Sequence, residues 1–395
     1  MELSQRAQAL PASPTLAISA RAAELRRAGE RVFSLAAGQP DFPTPEHIRR
    51  AAAAAMEAGH TGYAPSAGVP ELRAAIRRYA AERLGVEYAD DQVVVGCGAK
   101  QCLANAFLAL LDPGQRALLQ APYWVSYPAQ VRLCGAEPLV APAPEQGLLD
   151  LAAIRRGLEG GARLVVLNSP SNPSGQVAGT EEIDALAGLL REFDCYLVSD
   201  DIYERIVFTP EPCPHLLRRH PDLAGRVIVV NGVSKSYSMT GWRLGWALGP
   251  APVIGAMRRL QDQTTSNAVT FVQHAAVAAL ESEPEVVDAM VRQFSRRLDL
   301  VCRLLDDIAG IDYRRPQGAF YLMLDVHRLL GRSWRGRAVD SAARLAEILL
   351  DSQRVAVVPG EAFGAPGFLR ISIAAAREDL EQAVARLGRL VEELD

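Results

Sequence analysis

The chain has 395 residues, with 42 Lys and Arg against 46 Asp and Glu and a formal net charge of −4, so it carries no basic footprint for nucleic acid. Hydrophobic residues make up 49% and charged residues 22%, which excludes a disordered or collagen-like chain and allows about two or three domains at roughly 150 residues each. Its start, Met1-Glu2-Leu3-Ser4, has no basic region leading into an apolar stretch, and no run reaches the ~18 apolar residues of a membrane span; an unexported, cytoplasmic protein with no membrane partner is expected.

In chain order, Ser19 to Gly29 reads as helical and Arg50 to Ala58 as part of an Ala-rich helix. Gln92 to Val95 reads as a strand and Ala99 to Leu111 as a helix, ended by Asp112-Pro113-Gly114. Ala117 to Gln120 is a strand, Ser126 to Cys134 a helix, Arg163 to Leu167 a strand, Glu181 to Phe193 a helix, and Cys195 to Ser199 and Val227 to Asn231 are strands. Short β-branched runs alternating with amphipathic segments imply a mainly parallel sheet covered by helices on both faces, the α/β class. In such sheets ligands sit beyond the carboxyl ends of the strands. The last third changes character: Glu285 to Asp307 is helical, Gly318 to Leu324, Val355 to Val358 and Leu369 to Ile373 are strands, and Arg377 to Leu394 closes the chain as a helix. This implies a smaller α+β part, with the N-terminal stretch packed on it. The six cysteines, at 97, 102, 134, 195, 213 and 302, form no C-x-x-C pair; all are expected to be buried reduced thiols, and no metal is expected.

Three clusters carry chemistry. Gly96-Cys97-Gly98-Ala99-Lys100-Gln101 lies between a strand and a helix, but Gln101 stands where the third glycine of a dinucleotide fingerprint belongs. It is either an anion site, with glycines admitting the ligand to a helix N-terminus, or a plain strand-to-helix turn. Asn231 to Gly245 contains Ser234-Lys235 and, eight residues after the lysine, Arg243. A lysine among small hydroxyl residues with an arginine nearby suits a Schiff-base lysine beside a phosphate site, although most lysines are surface residues. Ser199-Asp200-Asp201-Ile202-Tyr203 ends a strand with a carboxylate that is costly to bury unless paired, and a cationic ring nitrogen would be such a partner. Asn168 to Gly175 likewise ends a strand, either as part of the site or as a Pro/Gly turn.

Together these clusters resemble the fold-type I pyridoxal-phosphate enzymes, specifically the class I/II aminotransferases. Markers appear in family order from about Thr15 to Leu394: Ala37-Gly38-Gln39-Pro40-Asp41-Phe42, Tyr63-Ala64-Pro65, Gly98-Ala99-Lys100, Pro122-Tyr123-Trp124, Asn172-Pro173-Ser174-Gly175, Asp200-Asp201-Ile202-Tyr203, Ser234-Lys235 with Arg243, Gly318-Ala319-Phe320-Tyr321, Val358-Pro359-Gly360 and Arg370. Two positions depart from the family pattern: Asp201 replaces the commoner glutamate, and Ser174 the commoner threonine.

The resemblance implies a large cofactor-binding domain, 44–284, with a mainly parallel sheet, and a small domain of 1–43 and 285–395. It implies pyridoxal 5'-phosphate held by Lys235 as an internal aldimine, with Lys235 also moving the proton and a ping-pong exchange between an amino acid and a 2-oxo acid such as 2-oxoglutarate. Asp200 would pair with the ring nitrogen, Tyr203 and Asn172 with the ring's phenolic oxygen, and Trp124 would stack on the ring. Gly98, Ala99, Lys100, Ser234 and Arg243 would surround the phosphate, joined by Tyr63 from the second subunit of a homodimer. Arg370 would grip the substrate α-carboxylate, with Asn172 and the Gly38 backbone assisting. The bacterial aspartate and aspartate/prephenate branch is the most similar, so Lys100 and Thr15 are expected to receive a second, side-chain carboxylate. Other chemistry on the same cofactor, by a lyase, cyclase or oxidase, is the alternative.

Overall fold

The computed structural model describes residues 3–8, 10 and 14–395, without the side chains of residues 5, 6, 14–17 and 19. Seven strands form the main sheet: β1 (Val93–Gly96), β2 (Arg116–Gln120), β3 (Glu137–Ala141), β4 (Leu164–Asn168), β5 (Tyr196–Asp200), β6 (Val227–Gly232) and β7 (Gly245–Leu248). Their spatial order is β1-β7-β6-β5-β4-β2-β3. Only β7 runs antiparallel to its neighbours β1 and β6. Strands β4 to β6 are buried along nearly their whole length, as expected where helices cover both faces.

The helices carry ordinary start and stop signals. Pro70–Leu84 begins with proline in its first turn and ends at Gly85, which is left-handed at φ 69°; proline costs nothing at that start and glycine is unstrained at that end. Leu151–Glu159 is capped by the Asp150 carboxylate, which accepts the Ala153 N–H, and Ala342–Gln353 by Ser341 in the same way.

A second, antiparallel sheet joins β8 (Asp312–Tyr313), β9 (Tyr321–Asp325), β10 (Val358–Pro359) and β11 (Phe368–Ser372) in the order β10-β11-β9-β8. The N-terminal segment packs here: Phe33–Ser34 pairs in parallel with Val355–Ala356, and Ala22, Leu25, Val32 and Ala36 share an apolar cluster with Leu350, Val358 and Phe363. The Asp41 carboxylate makes a two-pronged bond to Arg297, at 2.7 and 2.9 Å, tying that segment to the helix Glu285–Asp306.

Most expected elements lie within one or two residues of those observed; the differences are local. Gly318 to Phe320 is a turn rather than strand, with Ala319 at φ 54° and the Gly318 N–H donated to Gly175 O, so β9 begins only at Tyr321. Val355 to Val358 splits at Val357, its halves pairing with different partners. Strands β3 and β7 were not expected: β3 carries Pro138, which an edge strand tolerates, and β7 opens on a glycine. Cys102, Cys134, Cys195 and Cys302 are buried as expected, but Cys97 and Cys213 are only half-buried, because each lies in a loop beyond a strand.

Gly245 shows how closely β7 meets the helix Ala99–Leu110. A Cβ there would come within 2.3 Å of Ala99 N and 2.7 Å of Gly98 C, both backbone atoms that no side-chain rotation can clear. Gly245→Ala is therefore expected to cost about 1–3 kcal/mol, the scale of an overpacked core, read as a lower urea midpoint. An unchanged midpoint would show that the helix start yields freely.

Candidate active site

A cavity of about 470 Å³ opens where β1, β4, β5 and β6 end. Of the residues singled out in the sequence, Gly38, Ala99, Lys100, Trp124, Asn172, Asp200, Tyr203, Ser234, Lys235, Arg243 and Arg370 line it. Gly98 stands at its edge against Arg243.

Lys235 follows β6 by three residues and donates to the Gly38 carbonyl at 2.6 Å. Burial, then the charges of Arg243 and Arg370, lower its pKa to about 8, since a cation is costly both out of water and beside other cations. Asp200, the last residue of β5, accepts from Tyr127 Oη at 2.6 Å and from the Ile202 N–H at 3.3 Å. Burial dominates there and raises its pKa to about 6. It is a carboxylate short of a cation.

Arg370 sits mid-strand in β11, opposite Val358 on one side and Met323 on the other. It is 3% exposed, and its guanidinium bonds neutral acceptors: Asn172 Oδ1 at 3.1 Å and Ala36 O at 2.9 Å. Its carbon lies 4.5 Å from the Tyr321 ring centroid and 5.0 Å from that of Phe363. Nε has no partner among the described residues. Burial lowers its pKa, so an incoming carboxylate would be strongly favoured.

On the other side, Gly98 turns at φ 88° into the helix Ala99–Leu110, whose first N–H groups have no intrahelical acceptor. Arg243, at φ 56°, bonds the Thr240 carbonyl at 2.9 Å and lies so close to Gly98 that a Cβ there would meet Nη2 at 2.7 Å. Lys100 places its ammonium 5.0 Å from the Trp124 ring centroid; burial and Arg243 lower its pKa. Four cations thus face one cavity with a single lining carboxylate.

These features fit a phosphorylated pyridine. A helix N-terminus, Ser234 and Arg243 offer a dianion its donors, Asp200 lacks a cation, and Lys235 is an amine held partly neutral.

Two singled-out residues stand apart. Tyr63 is 95% exposed, on a segment held by the bond from Thr270 Oγ1 to Gly62 O. Thr15 belongs to the helix Pro14–Arg27, but its side chain lies outside the described residues.

The sequence reading overlooked Tyr127 and gave Tyr321, quoted only as a family marker, no role in the site; both line the cavity. Tyr127 lies in the first turn of the helix Ser126–Leu133, three residues after Trp124, whose carbonyl accepts its N–H at 3.0 Å, and their rings stand 5.3 Å apart. Tyr321 shares a hydroxyl contact of 3.0 Å with Tyr203. A compositional signal was also overlooked: Lys100 and Lys235 are the chain's only lysines, every other fixed cation being arginine. Both line the cavity.

The model of the family described as aminotransferase class I and II matches residues 30–387. The chain is 39% identical to an aspartate aminotransferase of Geobacillus stearothermophilus over 394 residues, 99% of each chain. It is 38% identical to an aspartate/prephenate aminotransferase of Nitrosomonas europaea over 396 residues, 99% of this chain and 100% of the other. Among solved structures, the aspartate aminotransferase from Rhizobium meliloti superposes with a TM-score of 0.96 at 38% identity, covering 100% of both chains. That from Thermus thermophilus with maleate gives 0.91 at 39%, covering 99% of this chain and 100% of that one.

The depressed pKa of Lys235 is testable without cofactor. An amine acylates only when unprotonated, so labelling of Lys235 in the cofactor-free protein should rise through about pH 8, whereas an unperturbed lysine titrates near 10.4. Arg243→Ala removes a repelling cation and should move the midpoint upward. With two lysines in the chain, peptide mapping reads each directly, and a midpoint near 10 would refute the depressed value.

Proposed function

From the premise that this chain belongs to the class I and II aminotransferases, and is therefore a pyridoxal-phosphate-dependent enzyme of amino-group transfer, we propose that its substrates are aspartate or another acidic amino acid and a 2-oxo acid such as 2-oxoglutarate. The observation that carries this is the charge imbalance of the cavity, where Lys100, Lys235, Arg243 and Arg370 face one carboxylate. A cofactor phosphate accounts for Arg243, and an α-carboxylate for Arg370. Lys100 is left for a second carboxylate. Relatives named aspartate aminotransferase and the maleate held by the Thermus enzyme support a dicarboxylate.

In this reading the residues divide the work by position. Pyridoxal phosphate, when bound, supplies an electrophilic carbonyl and a sink for the electrons of the substrate Cα–H bond. Ser234, Arg243 and the amides at Gly98 and Ala99 hold its phosphate. Asp200 keeps a proton on the ring nitrogen, with Tyr127 orienting the carboxylate. Tyr203 and Asn172 would hold the ring's oxygen substituent, and Trp124 would stack on the ring. Arg370 would hold the α-carboxylate, aided by Asn172 and the Gly38 backbone, on the side of the cavity that Lys235 also lines. The Lys235 amine, with a pKa near 8, is neutral often enough at physiological pH to anchor the cofactor and to carry the α-proton. The second half-reaction uses the same groups in reverse.

The same reading makes 44–284 the large domain and 1–43 with 285–395 the small one. It places the protein in the cytoplasm, in keeping with the sparse cysteines of the sequence; among the described residues no helix is long and apolar enough to cross a membrane.

The test of substrate class is a half-reaction screen following loss of the bound cofactor's absorbance with each amino acid. Aspartate and glutamate should react best. Lys100→Ala should cost about 1.5–3 kcal/mol for these two, the scale of one charged hydrogen bond, and spare alanine. An equal loss for alanine would assign Lys100 to the phosphate.

We further propose a two-fold dimer with shared sites, because Tyr63 is fully presented to solvent in one chain and closed dimers are the commonest assembly. Mixing inactive Lys235→Ala with Tyr63→Phe subunits should recover activity through hybrids holding one intact site. No recovery, with subunit exchange demonstrated, would refute sharing.

A further inference from the structure

The face of the main sheet opposite the cofactor cavity carries a second polar group. Side chains alternate along β5, so Asp200 points into the cavity while Ser199 and Asp201 point to the other face. Asp201 is 2% exposed. Its Oδ1 accepts from Ser199 Oγ at 2.6 Å, and its Oδ2 meets His215 Nε2 at 2.9 Å. The other ring nitrogen, Nδ1, accepts the Leu217 N–H at 3.1 Å and so caps the helix Leu216–Arg219. This second bond decides the charge. Burial disfavours a cationic imidazole; Asp201 favours one strongly enough to raise the His215 pKa. Yet a proton on Nδ1 would set two donors against each other and forfeit the cap. The bonding pattern is that of a neutral His215 donating from Nε2 to an anionic Asp201.

The surrounding charges do not cancel that anion. Glu204 is occupied by Tyr79 Oη and by Arg83, the latter at 2.9 Å. Arg218 bonds the carbonyls of Glu82 and Arg83. The Cys213 thiol, on Ser169, is pushed up by burial to about 12 and is neutral, and burial also raises Tyr88. On the cavity side stand Asp200, Tyr127 and Lys235.

We propose that Asp201, held by Ser199 and neutral His215, is a positioning residue whose buried negative charge strengthens the grip of Asp200 on a proton at the cofactor ring. The inference rests on the cofactor reading above and deepens it. Asp201 touches neither ring nor substrate; it acts through Asp200, its chain neighbour. Two adjacent buried carboxylates repel, and the repulsion is relieved when a proton or a cation arrives at Asp200. Asp201 contributes in the same direction, upward, to the proton affinities of Asp200 and Tyr127.

The experiment is a pH titration of the visible absorbance of the holoenzyme, with the melting temperature of the cofactor-free protein as a fold control. Loss of a negative charge disfavours protonated, cationic forms, so Asp201→Asn should move the midpoint to lower pH, by on the order of one unit for a charge this close. Asp201→Glu, which restores the charge, should return it. An unmoved midpoint in Asp201→Asn overturns the proposal. His215→Gln tests the charge state separately, and it serves if Asp201→Asn does not fold. A parent-like midpoint supports a neutral His215, whereas a rise of about one unit shows that a cation was removed, making the pair net neutral and the proposal wrong. The parent's own band separates the two levels: its absence would defeat the cofactor reading, and its presence with an unmoved Asp201→Asn midpoint would defeat this inference alone.

Discussion

Repulsion among like charges in a confined space is the constraint on which the site depends. Lys100, Lys235, Arg243 and Arg370 converge on a cavity lined by one carboxylate; of the four only Arg370 is buried, and a buried cation is not normally left without a counter-charge. What holds them is neutral: the carbonyls of Gly38, Thr240 and Ala36 and the faces of Trp124, Tyr321 and Phe363. A carboxylate in any of these places would compete with an incoming anion for its cation. Dipoles and ring quadrupoles do not, so the cations are fixed in place and still available.

The fold supplies this arrangement through strand ends and missing side chains. Residues at and just beyond the ends of β1, β4, β5 and β6 turn polar groups toward the cavity while the strand interiors stay largely apolar. Two glycines set the distances. The bare Gly245 lets β7 come against the first turn of the helix at Ala99, and the bare Gly98 lets the Arg243 guanidinium lie over that turn. Because β7 runs antiparallel to β6, with Gly245 paired to Gly232, the loop between them starts and ends at the same corner, and Lys235 and Arg243, eight residues apart, both face the cavity.

Much of this was legible in the sequence because it is local. Asp200 ends one short β-branched run and Lys235 stands three residues beyond another, so their place at the sheet's carboxyl edge can be read from those runs. The strands that escaped notice lack that signature: β3 contains Pro138 and lies at the sheet edge, and β7 is four residues long and begins with glycine. The roles of Tyr127 and Tyr321 depend on contacts 73 and 118 residues away in sequence, which no periodicity encodes. The turn at Gly318 to Phe320 was read as strand because its apolar residues look alike in either state; its hydrogen bonds to Gly175 and Ile206 decide the matter. The helix Pro70–Leu84 was passed over although it carries a proline start and a glycine stop.

The bond between Arg370 and the Ala36 carbonyl spans 334 residues of sequence, and the parallel pair Phe33–Ser34 with Val355–Ala356 spans almost as many. During synthesis, at about 5–20 residues per second, the main sheet and its lysine emerge well before β11 does. For some seconds, then, the nascent chain has a finished floor and an unfinished wall. The N-terminal segment must wait for the last strands before it can dock, so its apolar residues, Val32 and Ala36 among them, are the part of this molecule most in need of protection while the ribosome is still at work.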